Sequence, residues 1–134
     1  MIHKQVLMAD RVRRPPSGGW SWIDRRFVRE FAPRLSGEAI LLYLFLAAVS
    51  DKDGLSFYSE ATIAIRLRMS EAAVVRAREE LVREDLVAYR APLVQVLSLP
   101  RAGLERRAGG LVQFGELLRT LAASPSGTDP RRSS

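Results

Sequence analysis

The chain has 134 residues, no cysteine, 47% apolar residues and a formal net charge of +6. That length suits one domain. The missing cysteines exclude disulfides and thiolate metal sites, and the basic balance points to a polyanionic partner. The charge is uneven: residues 1–34 hold eight Lys/Arg against three Asp/Glu, residues 35–91 seven against nine, and residues 92–134 six against three. The basic flanks therefore enclose a slightly acidic centre.

In chain order, residues 2–8, "IHKQVLM", suit a short strand or a loose arm, and "DRVRRPPSGG" is a basic linker that its prolines and glycines keep irregular. Residues 1–19 are thus expected to form an N-terminal arm, and no signal-peptide pattern is visible in them. Ser21 is a candidate N-cap for a helix over "WIDRRFVREFA", with Ile23, Phe27, Val28 and Phe31 at helical spacing. Trp20 and Trp22 suit a hydrophobic clasp around that helix, with stacking on a nucleic-acid base as the lesser alternative. Ser36 caps a second helix running to about Ser50; its apolar stretch Ala39–Val49 is 11 residues long, against about 20 for a bilayer span. That helix, apolar nearly all round, should be the central one, buried in the core of a soluble domain.

"DKDG" (51–54) predicts a glycine turn, and "LSFY" (55–58) a short β segment. Ser59 caps "EATIAIRLR", with Ile63, Ala64 and Leu67 inward. A turn at Arg68-Met69 leads to Ser70, which caps "EAAVVRAREELVRED", with Val74, Ala77 and Leu81 inward. "LVAYR" and "LVQVLSL" predict a hairpin around Ala91-Pro92, ended by Pro100. Beyond it, residues 101–123 suggest a linker and an amphipathic helix (111–123) that could support a homodimer, and 124–134 a disordered tail. Helix, helix, short strand, helix, turn, helix, hairpin is the winged helix-turn-helix order, mainly α with a small hairpin (α+β), expected over residues 20–100.

From Leu35 to Leu99 the chain resembles the winged-helix module of plasmid replication initiators and DnaD-type primosome proteins. Leu42, Tyr43, Leu44, Leu46, Asp51, Gly54, Tyr58, Ser59, Thr62, Ile63, Ala64, Leu67, Ser70, Val74, Arg76, Ala77, Leu81, Leu86 and Val87 carry that resemblance. It is also similar to small winged-helix proteins of bacterial mobile elements, through "WSWID" (20–24) and "QVLSL" (95–99). The resemblance implies duplex DNA binding. Two departures bear on how: Arg68 stands where the family's turn has glycine, and "EAA" replaces the polar first turn of its recognition helix.

The Ser70 cap would turn Glu71, Ala72, Val75, Arg76 and Glu79 outward. Only Arg76 can fork onto a guanine; Glu71 accepts from cytosine but repels phosphate, and Ala72 and Val75 reach at most thymine methyls. Alternatively these residues face solvent or a protein, with Arg76 paired to Glu80 one turn on. Arg66 and Arg68 beside the turn suit backbone phosphate or are simply solvated, and the helix opened by Ser70 offers phosphate its N–H groups, although capping alone explains that serine. The wing adds only Arg90. Arg11, Arg13 and Arg14 could enter a minor groove or simply be solvated, and Arg25, Arg26 and Arg29 could extend the same basic surface.

His3 is the only histidine, neither "GxxxxGK[ST]" nor "GxGxxG" occurs, and "DKDG" lacks the other ligands of a calcium hand. The expectation is a non-enzymatic cytoplasmic protein without cofactor or small-molecule substrate. It would contact double-stranded DNA mainly through the backbone, as a transcriptional regulator or as a replication or mobile-element factor. The alternative is a winged helix serving as a protein-interaction module.

Overall fold

The computed structural model describes residues 2–101, so the expected linker, the helix at 111–123 and its dimer contact, and the tail lie outside the described residues. Three α-helices pack around a small antiparallel sheet: α1 (Gly37–Val49), β1 (Leu55–Ser56), α2 (Glu60–Leu67), α3 (Glu71–Arg83), β2 (Val87–Arg90) and β3 (Leu93–Val96). A π-helical segment, Phe27–Phe31, and a 3-10 turn, Ala32–Arg34, precede α1. No helix of the described residues is long and apolar enough to cross a membrane.

Each α-helix begins at a serine. The side chains of Ser36, Ser59 and Ser70 accept from the N–H groups of Ala39, Thr62 and Ala73, satisfying donors that a helix start leaves unpaired. α1 is buried along most of its girth through Ala39, Leu42, Tyr43, Phe45, Leu46 and Ala47. Ile63 and Ala64 of α2, and Val74, Ala77 and Leu81 of α3, close the core from the other side. Leu86, Val87 and Val94 bring the sheet into it.

The sheet order is β1-β3-β2. β3 pairs with β2 as the wing hairpin, with Val87 opposite Val96 and Arg90 opposite Leu93. It also pairs with β1, Leu55 opposite Gln95. The wing turn is closed at a cis Ala91–Pro92 bond. Gly54, at φ +85°, lies where a Cβ would collide with the Val96 carbonyl oxygen. The turn between α1 and β1 therefore needs glycine for both its conformation and its close approach. Asp51 fixes the same turn: its Oδ1 accepts from the N–H groups of Asp53 and Leu55, each at 2.9 Å. These bonds to the ionised form hold its carboxyl below the usual carboxylate range.

The first helical segment departs from the sequence expectation. Ser21 does not cap it; its hydroxyl donates to the Ala47 carbonyl at the end of α1. Asp24 supplies the cap, its carboxylate accepting from the Arg26 N–H at 2.8 Å. The segment winds as a π-helix, so only Phe27 and Phe31 are buried, while Ile23 and Val28 are exposed. Phe27 stacks on Tyr43 with ring centroids 4.0 Å apart. Trp20 and Trp22 are 65% and 73% exposed and form no clasp over the helix. Residues 2–8 contain no strand; the arm holds a 3-10 turn at Ala9–Arg11 and a turn closed by the Gly19 N–H on the Pro16 carbonyl.

Candidate nucleic-acid interface

α2 and α3 meet across a turn whose shape depends on Arg68. It takes φ 60° and ψ 46°, the left-handed conformation, and its N–H donates to the carbonyls of Ala64 and Ile65. The Met69 N–H then reaches back to Ala64 at 3.0 Å. This pairing of the last carbonyls of a helix is the usual work of a glycine, and arginine carries a Cβ cost there. The turn thus keeps the geometry that glycine gives the resembled family, with a cationic side chain added. Arg66 and Arg68 are exposed and in no ion pair among the described residues.

α3 presents the face that the Ser70 cap predicts. Glu71, Ala72, Arg76 and Glu79 are exposed, while Val75 is half-buried. Ser70 itself is occupied as a cap, accepting from the Ala73 N–H at 3.0 Å. Arg76 does not pair with Glu80. Its guanidinium lies 3.8 Å from the carboxylate of Glu38 on α1. Glu80 instead accepts from the N–H and hydroxyl of Ser36, at 2.8 and 2.7 Å, locking α3 to the start of α1. The exposed face of α3 therefore alternates in sign: Arg76 sits among Glu38, Glu71 and Glu79 instead of in a continuous basic band.

Arg90 ends β2 at the exposed wing turn. Arg78 is a residue that sequence reasoning missed. Its guanidinium pairs with Glu60 of α2 at 2.8 Å and covers the Tyr89 ring of β2 at 3.8 Å from the centroid. Only its place on the inner flank of α3 hinted at this, because both partners are distant in sequence. Arg11, Arg13 and Arg14 are exposed along the arm, outside the helix-turn-helix, and in no ion pair among the described residues. Arg25 and Arg29 are exposed. Arg26 is not part of that surface: it bonds the Pro100 carbonyl and pairs with Glu30 at 3.1 Å, which lowers the Glu30 pKa.

Residues 34–87 match the model of a helix-turn-helix domain family. No curated protein and no solved structure matches the chain. Sequence match and architecture agree: these residues form a helix-turn-helix domain, and β2 and β3 supply the wing of an α+β winged helix. A helix-turn-helix domain points to DNA as the partner.

Proposed function

We propose that the protein is a non-enzymatic winged-helix factor that binds duplex DNA mainly through its phosphate backbone, in transcriptional control or in plasmid or mobile-element maintenance. The observation that carries this reading is the contrast across the turn. Arg66 and Arg68 stand exposed and in no ion pair among the described residues, whereas Arg76, the one strong base reader on α3, lies 3.8 Å from the Glu38 carboxylate. Phosphate contact needs charge alone, whereas base reading needs matched donors and acceptors. Arg11, Arg13 and Arg14 add charge from the arm. The resemblance to replication initiators and mobile-element proteins supports the biological setting.

The test is a fluorescence-anisotropy titration of a random-sequence duplex at several salt concentrations. Each phosphate contact contributes about −0.9 to the slope of log K against log salt. The wild type should bind with a steep slope, and an Arg66/Arg68→Ala double variant should lose about two contacts' worth of it. Affinity that stays flat with salt, or a slope that the double variant leaves unchanged, would overturn the reading.

One observation favours a protein partner instead. Phe57, Tyr58, Tyr89 and Pro92 leave an exposed apolar surface beside the wing, around a groove of about 440 Å³. A chain that binds no duplex and dimerises or captures a protein only when these four are intact would make the winged helix an interaction module.

A further inference from the structure

On the other side of α1 from the helix-turn-helix lies a cleft of about 540 Å³. Trp20, Trp22, Tyr43 and Leu97 contribute apolar surface, and Asp24 and Asp51 contribute carboxylates. No residue of α2 or α3 lines it. The cleft is held together by contacts already described: Ser21 is tied to the end of α1, Tyr43 is stacked on Phe27, and Asp51 is pinned by two backbone N–H groups.

Two features identify what such a cleft would hold. The first is its aromatic surface. Indoles this exposed are uncommon, and the two at this cleft stack on no other ring among the described residues. The second is its charge. In a chain of net charge +6, the cleft is lined by three aspartates and one lysine, and that lysine is already paired with Asp53 at 3.1 Å. Carboxylates repel phosphate, so this face does not suit DNA. A π-face beside a fixed carboxylate attracts a weakly hydrated cation, whose charge the ring quadrupole and the anion both stabilise.

We propose that this cleft binds an organic cation, an alkylammonium or guanidinium group, against the indoles of Trp20 and Trp22 with the Asp51 carboxylate as its counter-ion. The proposal stands apart from the DNA reading, because the cleft shares no residue with the exposed face of α3. A bound cation leaves that face open, so the two ligands can be held together.

The chain's only two tryptophans are the two in the cleft, so tryptophan emission, excited at the red edge where tyrosine does not absorb, reports on this site alone. The full chain would be titrated with tetramethylammonium, representing a free small cation, and with N-acetyl-arginine amide, representing a peptide side chain. N-acetyl-citrulline amide is the neutral isostere, and sodium chloride holds ionic strength constant. The expected result is a saturable change in emission with at least one cation and none with citrulline. Asp51→Asn, which keeps the acceptor for the turn, should weaken binding about fivefold. Trp22→Ala, a change at an exposed position, should do the same or more, with the fold checked by circular dichroism. Tighter binding of tetramethylammonium would assign a free amine as the source, and tighter binding of the arginine amide a peptide. No saturable response to either cation, an equal response to citrulline, or full binding by folded Asp51→Asn would overturn the proposal.

Discussion

The guanidinium of Arg76 on α3 lies 3.8 Å from the carboxylate of Glu38 on α1, so the residue best equipped to read a base is shared with the protein's own scaffold. Both side chains are largely exposed, and such pairs are worth about 0.2–1 kcal/mol. Glu38→Gln should therefore release Arg76 at little cost to stability. It should raise duplex affinity by up to about fivefold, and Arg76→Ala should cost more affinity in that background than in the wild type. Anisotropy titrations of the four proteins of this cycle measure it. A Glu38→Gln variant with unaltered affinity would show that Arg76 does not face DNA.

Arg68 sets stability against binding. Its left-handed conformation carries a Cβ cost that glycine escapes. Arg68→Gly should leave stability unchanged or raise it by about 0.5–1 kcal/mol, while duplex affinity falls and its salt slope flattens by about 0.9. Urea unfolding and anisotropy on the same sample would show the two quantities moving in opposite directions.

Gly54 has no such latitude. Its φ is +85°, and a Cβ would run into backbone of β3 instead of a movable side chain. Gly54→Ala should destabilise the domain by about 2 kcal/mol or more, combining conformational strain with displacement of the strand. The midpoint of a urea transition measures the loss.

Asp51 gives the domain an acid-sensitive turn. Its folded pKa lies below the ordinary carboxylate value because the N–H groups of Leu55 and Asp53 bond the ionised form. The stability it contributes is present above the unfolded pKa, about 3.9, and is lost as pH falls through the lower folded value. Asp51→Asn should flatten the pH dependence of stability below about pH 4, and lower stability in the neutral range by the amount that the wild type loses on acidification. Thermal melts across the acid range test this.

What was legible in the sequence was local. Ser36, Ser59 and Ser70 announce their helices because a cap bonds an N–H three residues on, and Val74, Ala77 and Leu81 announce the buried side of α3 by spacing alone. Even the Arg68 turn was visible as a departure from a glycine position, and the structure resolves it as a left-handed arginine. What was hidden depends on distance along the chain. Ser21 looked like a cap but bonds Ala47, and Arg76 has Glu80 one turn away yet pairs with Glu38. Glu80 is engaged elsewhere because α3 crosses the start of α1 and the Ser36 N–H takes its carboxylate. A π-helical winding over Phe27–Phe31 also shifts the period on which helical spacing rests, so Val28 is exposed, and Ile23 is exposed because it precedes the helical segment.

Arg78 joins three elements, since it pairs with Glu60 and covers Tyr89. Arg78→Ala should cost about 1–2 kcal/mol, and Arg78→Lys should recover part of the ion pair but little of the ring contact. Chemical denaturation of the two variants ranks them.

The bond from Ser21 to Ala47 fixes where the arm leaves the domain. It makes the basic segment a leash of known anchor and length. Ser21 follows Arg11 by ten residue steps, and a fully extended chain covers about 3.5 Å per step, so the leash reaches ~35 Å. That is about one helical turn of B-DNA. A duplex seated on α3 would then be protected over a footprint up to a turn longer than the helices alone can cover, and trimming the leash would shorten the footprint from the side on which the arm lies.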